Sequence, residues 1–573
     1  MFDYLIKDAM IVDGFGTKPF QGDVGLSGDR IKGIGALKGA LSNTIIQAEG
    51  LVVAPGFIDI HSHHDLYVID QDPIERFEFF VRQGVTTCVV GNCGWSPAPC
   101  MPATKPMLLE LIRSMGAPVK QLPWNTMAEY FAHLEGHGLM CNLAQLVGHS
   151  AVRIAVMGDE NRFCTPDESK RMQALIRESL AAGCVGLSSG LMYYPGMYCH
   201  TDELIELAGV LREFNRPYAT HLRGYCTTLE KSIEEALYIV EAAGVPLQIS
   251  HLHAVPFLGR IADYLYEVIR FIEIFNAVVP LPPLPNPALN NGFRRIQAAL
   301  DQGADVGMDI VPYTLGNTTA TILFPPWANR GGKSQLLAHI RNPETRKRLE
   351  REMVSTVPKW PHWEEGSWSD PYISALGWKP IRVLSVSSDT NQWTKGESFP
   401  EIAKAWKTTE FSALCRLMLE ENGEVAFTFG IPAGPWIEKM FNQILTHPLM
   451  SIGADSILPA HRQGTPPPSA YGCFPRIIGH YSRELGLFPL EEAVRKMTSL
   501  PARCYKLEGR GILKENAYAD LVVFDPSTID EAFTSDGRPD YAKGVRHVFI
   551  NGQQMVEDGR FYGHLMPGRV LRA

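Results

Sequence analysis

The run Pro55-Gly-Phe-Ile-Asp-Ile-His-Ser-His-His-Asp65 sets two imidazoles, His61 and His63, two residues apart. Side chains of an extended chain repeat every two residues, so this spacing predicts both rings on one side, where they can share a metal ion. A His-x-His pair by itself is a weak signal, and its weight depends on ligands arriving from elsewhere in the chain. Several later apolar runs end on such residues: Cys93 after 86–90, His149 after 143–147, His221 after 218–220, His251 after 246–250 and Asp455 after 450–454.

Zinc takes thiolate, imidazole and carboxylate ligands, and a catalytic site leaves one position open. Cys93, His221 and His251 supply three ligands for one ion, and His61, His63 and Asp455 can complete an adjacent second site. Metal lowers the pKa of water towards neutrality, and a neighbouring carboxylate can act as base and then as acid. The predicted chemistry is hydrolysis at a carbonyl carbon. Taken singly, Cys93 reads as a buried core thiol and each histidine as a hydrogen-bonded core residue. Together, at the ends of successive strands, they read as a metal centre. His64 adjoins the pair but points to the other side of a strand, while His149, His200 and His253 are candidates for the pocket. Asp389, also at the end of an apolar run, competes with Asp455 as the base, and Asp309 competes more weakly from within its own strand.

What must position these residues follows from the patterning between about 55 and 500. Apolar runs of four to eight residues alternate with helix-length segments such as 166–182 and 201–215, the signature of buried parallel strands with helical crossovers. The predicted fold is α/β, a (β/α)8 TIM-like barrel, whose strand ends meet at one mouth where active sites are built. The thirty-residue intervals from His63 to Cys93 and from His221 to His251 each fit one βαβ unit; periodicity alone leaves an open doubly wound sheet as the alternative. Short strands in residues 1–54 and again in 505–573 predict one small β-sandwich closed by both termini around the barrel, which spans 55–504. The proline-rich 280–287 segment is expected as an exposed loop beside the mouth. A Trp-rich stretch at about 325–380, with Trp327, Trp360, Trp363, Trp368 and Trp378, reads as an insertion that either lines an apolar pocket or packs on the barrel.

The chain has 573 residues, 45% hydrophobic and 20% charged, with net charge -9, a balance that argues against nucleic acid and anionic membrane as partners. A small-molecule substrate is expected instead, with a homo-oligomer left open. The N-terminus lacks a secretory apolar core, no run approaches the ~20 apolar residues of a membrane span, and the eleven cysteines suggest reduced thiols. The expected location is cytoplasmic.

Gln83-Gly-Val-Thr-Thr, Gly91-Asn-Cys-Gly94, Gly186-Leu-Ser-Ser-Gly-Leu-Met-Tyr-Tyr-Pro-Gly196, Thr220-His-Leu-Arg223, Gln248-Ile-Ser-His251, Pro312-Tyr-Thr-Leu-Gly316 and Gly472-Cys-Phe-Pro-Arg-Ile-Ile-Gly479, together with the opening His-x-His run, resemble the N-acyl-D-amino-acid deacylases of the amidohydrolase superfamily. The resemblance runs over nearly the whole chain and is most specific at Gly-Asn-Cys-Gly. It implies a barrel with a β-sandwich from both termini and an insertion near the mouth. It also implies Zn2+ held tightly at Cys93, His221 and His251, a weaker site at His61 and His63, and Asp455 as general acid and base. The strands at 143–149 and 184–191 carry no lysine of the kind that bridges two metals in related hydrolases, which suits the cysteine version.

Two positions depart from that family. His253 stands where a lysine is common, and Pro467-Pro-Ser469 replaces His-Pro-Arg, although Tyr313, the third carboxylate contact by analogy, is kept. A serine hydroxyl does not replace an arginine ion pair. The expectation is thus a zinc-dependent hydrolase of linear amides with altered carboxylate recognition, with His149, Tyr194, Arg223, His253, Tyr313 and Ser469 about the substrate. The alternatives are a hydrolase of cyclic amides, carbamates or esters acting on neutral aromatic substrates, and a non-catalytic metal-binding barrel.

Overall fold

The computed structural model describes residues 1–68, 74–115, 117, 119–276, 279, 281–282, 286–430, 434–456, 467–535 and 537–573. Part of the proline-rich loop expected at 280–287 therefore lies outside the described residues.

Eight parallel strands form the central sheet in chain order: Phe57–Asp59, Val85–Val90, Asn142–Gly148, Gly186–Gly190, Tyr218–His221, Leu247–Ile249, Val306–Ile310 and Met450–Ile452. Each pairs in parallel with the next. Every residue of the second and third strands is buried, which is why these runs are mostly apolar with no strict alternation, and the buried Asn142 and Gln145 side chains are hydrogen-bonded to Asp520 and Asp65. The ring closes just beyond the eighth strand, where the Asp455 amide donates to the His61 carbonyl at 2.9 Å. Helices start where the sequence offers a cap. The helix Pro166–Ala181, for example, has proline in its first turn, and Thr165 and Glu168 cap each other's amides at 2.8 and 3.3 Å.

Between the seventh and eighth strands the chain makes an excursion over 311–449, longer than the insertion expected at about 325–380. It holds a three-stranded antiparallel sheet of Leu315–Thr319, Ala426–Gly430 and Arg382–Ser385, flanked by helices. The apolar run ending at Asp389 belongs to this sheet and not to the barrel.

The termini build a separate nine-stranded sheet. Phe2–Ile11 is one ten-residue strand with a bulge at Asp8, whose φ is 57°. Val52–Pro55 pairs antiparallel with Leu521–Phe524, so the two ends of the chain meet in the middle of this sheet. It has its own apolar core, including Ile6, Val24, Ile31, Val53, Leu521 and Phe549. The last residues return to the underside of the barrel: Leu143 donates to the Arg569 carbonyl at 2.9 Å, and Leu571 to the Leu143 carbonyl at 2.7 Å. Among the described residues no helix is long and apolar enough to cross a membrane.

A buried polar knot joins the two domains. Asp520 pairs with Arg510 and accepts from Asn142 at 3.1 Å and from the Asn551 amide at 2.7 Å; Asn551 in turn donates to Asn142 at 2.7 Å. Asp520 and Arg510 are 3% and 5% exposed, so removing one charge strands the other out of water. Asp520→Ala is expected to cost about 3–5 kcal/mol and to lower the urea unfolding midpoint; a midpoint equal to the wild type contradicts this.

Candidate metal centre

The six residues converge at the C-terminal end of the barrel. Cys93 Sγ lies 3.3 Å from His61 Nε2 and 3.6 Å from both His221 Nδ1 and His251 Nε2. Asp455 Oδ1 lies 3.5 Å from His61 Nε2 and 3.3 Å from His63 Nε2. Ligands at about 2.0–2.3 Å from one tetrahedral ion stand roughly 3.5 Å apart, so the Cys93 contacts have the separation zinc requires. His221 and His251 approach to 2.8 Å, closer than that separation. His61 belongs to both groups, one with Cys93 and His251 and the other with His63 and Asp455. Apart from Asp455, whose side chain is 17% exposed, the cluster is buried.

The local route to this arrangement differs from the sequence argument. The first strand ends at Asp59, so His61 and His63 do not share a strand face. His63 instead opens the short 3-10 turn His64–Leu66, and this bend brings the two rings to 5.5 Å. Three of the cluster residues hold a left-handed backbone, Cys93 at φ 54°, His251 at 32° and Asp455 at 42°. Side-chain-bearing residues rarely adopt it, and such strain collects at functional sites. Each kink turns a strand end sharply inward. At the ring closure Gly453 is required for a different reason, since a Cβ there would stand 2.6 Å from His61 Cβ.

The charges complement one another. Burial opposes ionisation of the Cys93 thiol, but His61, His221 and His251 outweigh it and hold the thiol well below its usual range. Burial likewise opposes the Asp455 carboxylate, and His61 and His63 prevail and lower it. His63, despite its burial, is raised to about 9 by Asp455 and Cys93. Burial and the neighbouring His251 push His221 down to about 4, which suits a neutral nitrogen ligand. His61 Nδ1, His63 Nδ1 and His221 Nε2 are buried without a hydrogen bond within the described structure. A thiolate, a carboxylate and imidazole nitrogens at these separations fit a divalent zinc-like ion, which would take the place of the protons that Asp455 and Cys93 favour on His61 and His63.

Behind the cluster stands Asp309. Its Oδ1 accepts from the His251 amide at 2.7 Å and lies 3.3 Å from His61 Nδ1, while Oδ2 accepts from Gln248 at 2.8 Å. Asp309 is buried, and both its oxygens are engaged by the barrel's own groups. Tyr225 backs the other ring, its hydroxyl 3.1 Å from His251 Nδ1. Trp95 and Tyr193 wall the site, Trp95 5.4 Å from the His63 ring and Tyr193 4.7 Å from that of His221. These second partners tune and orient metal ligands.

The other expected residues divide. His253 is near, stacked flat on Tyr225 at 4.3 Å with Nδ1 donating to the His251 carbonyl at 2.7 Å. Burial and His251 push it down to about 3, so it is no substitute for a lysine cation. Tyr313 and Ser469 share a cleft with Asn317, which donates to the Asp455 carbonyl at 3.2 Å. Tyr194 turns instead towards Gly332, and its neighbour Tyr193 is the one at the metal residues. His149 is hydrogen-bonded to Glu203 at 2.9 Å and Arg223 is paired with Glu235 at 3.0 Å, all four buried. Both pairs hold helix to strand end, and neither residue joins the metal cluster. His200 caps the helix Thr201–Gly209 at the surface, and Asp389 is exposed on the excursion. His64 packs between Phe77 and Phe80, on the side away from the cluster. The tryptophans pack the excursion: Trp363 covers Arg223, Trp378 meets Phe399, and Trp327 donates to Glu352 at 2.6 Å.

The model of the amidohydrolase family matches residues 44–328 and 444–556, leaving out most of the excursion. The D-aminoacylase of Alcaligenes xylosoxydans xylosoxydans is 32% identical over the full chain and 97% of its own length. A crystal structure of D-aminoacylase superposes with a TM-score of 0.74 at 29% identity, each chain fully covered. The N-acyl-D-glutamate deacylase of Bordetella bronchiseptica, complexed with zinc and a phosphonate mimic of the tetrahedral intermediate, superposes at 0.75, also with 29% identity and full coverage. The chain therefore belongs to the amidohydrolase family, among the D-aminoacylases and their relatives.

Proposed function

We propose that this protein is a zinc-dependent amidohydrolase that cleaves a linear amide C–N bond, related to N-acyl-D-amino-acid deacylases but altered in how it meets the substrate's amine portion. The observation that carries the reading is the Cys93 sulfur ringed by three imidazole nitrogens, with the Asp455 carboxylate at the only partly exposed corner. That relatives bind zinc, and that D-aminoacylase has a binuclear metal centre, supports the choice of metal.

Cys93, His221 and His251 would hold the tighter ion, and His61, His63 and Asp455 a weaker second one. When bound, zinc supplies Lewis-acid polarisation of the amide carbonyl. Asp455 takes a proton from the attacking water and passes it to the departing amine nitrogen; its lowered pKa keeps it in the basic form to begin. Trp95 and Tyr193 exclude bulk water from one side. The altered recognition is supported by three fates of the expected carboxylate contacts. His253 is kept neutral, Ser469 is bound to Ser456 at 2.9 Å, and the Tyr313 hydroxyl donates to Glu531 at 2.7 Å. A free carboxylate thus finds no unpaired cation among these three.

Three measurements test the reading. Asp455→Asn is expected to lower kcat at least about 100-fold, and full turnover in that variant would sink the assignment. Metal analysis after dialysis should find more zinc lost from Cys93→Ala than from His61→Ala, and the opposite order would overturn the ranking of the two sites. Asp309→Asn should weaken zinc affinity about 10- to 100-fold while leaving all six ligands in place; an unchanged dissociation constant would show that Asp309 has no part in orienting them.

A further inference from the structure

The excursion grips the loop 222–228, which leaves the fifth barrel strand directly after His221. Asp370 makes the closest part of that grip. It is buried, and its two carboxylate oxygens accept from successive amides of the loop, Oδ2 from Tyr225 at 2.6 Å and Oδ1 from Cys226 at 2.8 Å. On the same stretch His362 Nδ1 accepts from the Ser369 amide at 3.2 Å, so the ring hydrogen sits on Nε2, which donates to the Arg223 carbonyl at 2.7 Å. The Thr228 hydroxyl donates to the Ser369 carbonyl at 3.4 Å, and Trp363 lies over the Arg223 guanidinium at 4.2 Å. The two segments leave no room for a side chain at Gly224, where a Cβ would stand 2.3 Å from Thr228 Oγ1, 3.0 Å from Ser369 Cβ and 3.3 Å from Asp370 Oδ1.

The loop carries Tyr225 to the metal candidates. Its hydroxyl accepts from the Leu222 amide at 2.9 Å and stands 3.2 Å from the Ser250 carbonyl and 3.1 Å from His251 Nδ1. A phenol has one hydrogen to give and accepts through its lone pairs. With its hydrogen given to Ser250 and one lone pair taken by the Leu222 amide, it is left to accept a hydrogen from His251 Nδ1. The lone pair of that ring then lies on Nε2, the nitrogen 3.6 Å from Cys93 Sγ and the one a metal would need. Tyr225 also meets the His221 ring edge-on at 5.1 Å.

We infer that Asp370 is a positioning residue: a carboxylate of the excursion that, by holding the Tyr225 and Cys226 amides, places the Tyr225 hydroxyl that orients His251 and sets its tautomer for metal binding. The inference rests on the metal-centre reading above. Asp370 acts through Tyr225. An amide side chain at residue 370 would turn a donor towards one of two buried backbone N–H groups that now meet an acceptor. The loop must then shift, and the hydroxyl moves with it away from Nδ1.

The test measures zinc dissociation constants of the full-length protein by chelator competition, together with the thiolate-to-metal absorption of the Co2+-substituted protein, which reports geometry at Cys93. Asp370→Asn and Tyr225→Phe are each expected to weaken zinc about 10- to 100-fold and to alter the Co2+ band. The double variant should weaken zinc no further than the stronger single one, because both act through one contact. Gly224→Ala, which forces the loop off Asp370 while leaving both side chains intact, should fall in the same range. Asp520→Ala is the control for lost stability alone and should keep the wild-type dissociation constant and Co2+ band. An unchanged dissociation constant or Co2+ band in folded Asp370→Asn overturns the inference, as do losses that multiply in the double variant or an equal loss in Asp520→Ala. If Asp370→Asn does not fold, Gly224→Ala is judged by the same two readouts. A wild type that binds no zinc defeats the metal reading and this inference together. A wild type that binds zinc but cleaves no amide defeats the proposed function, and the dissociation constants of the variants still decide the role of Asp370.

Discussion

The site depends on how the barrel is closed. The last strand meets the first through one backbone bond, Asp455 to His61, and one carboxylate, Asp59, which accepts from the Ala454 amide at 2.9 Å and the His61 amide at 3.3 Å. Residues separated by almost four hundred positions are fixed there to within one hydrogen bond, and the same residues, or their immediate neighbours, are the metal candidates. Burial raises Asp59 to about 7, against the two amide bonds that favour its charged form. Gly453 completes the closure by allowing the eighth strand to pass against His61. A ring of eight strands thus ends in a hub where folding and ligand placement are the same event.

That hub explains where strain is tolerated. Left-handed conformations at Cys93, His251 and Asp455 cost on the order of 1–3 kcal/mol each, and each is pinned by a specific bond close by. The His251 amide is held by Asp309, the Asp455 amide by His61, and the Gly94 amide next to Cys93 by the Ser188 hydroxyl at 3.0 Å. A relaxed strand end would let these side chains run on along the barrel axis. The kinks aim them across it, so that ligands from the first, second, fifth, sixth and eighth strands face a common centre.

Much of this was legible in the sequence because barrel topology converts a one-dimensional pattern into a point. A run of buried residues followed by a ligand-type residue, repeated, leads to His61, His63, Cys93, His221, His251 and Asp455, but the same pattern also picks out His149 and Asp389, which the structure places outside the cluster. Partnerships made between helices and strand ends carry no comparable signal. Arg223 and His149 read from the sequence as substrate contacts, and nothing in the pattern shows that Glu235, twelve residues on, and Glu203, 54 residues away, engage them. Tyr193 and Tyr194 are chemically alike and adjacent, so composition cannot choose between them. The extent of the excursion was hidden for a related reason. Arg382–Ser385 and Ala426–Gly430 are short apolar strands like those of the barrel, and only their antiparallel pairing sets them apart. Asp309, inside its own strand, reads from the sequence as a weak candidate base, and nothing in the pattern shows that its two oxygens are engaged by the His251 amide and by Gln248.

The terminal segment is more than a platform under the barrel. Its nine-stranded sheet braces the N-terminal ends of the barrel strands, whereas the hairpin of Asp530–Phe533 and Pro539–Lys543 reaches the opposite end and touches Tyr313 through Glu531. The mouth of the barrel is thus bordered from three sources: the strand ends carry the metal candidates, the excursion brings Asn317 against the Asp455 carbonyl, and the C-terminal chain sets Glu531 against Tyr313 and Arg476. Only the strand ends are fixed by closure of the ring, so the other two can change in sequence while the cluster keeps its geometry.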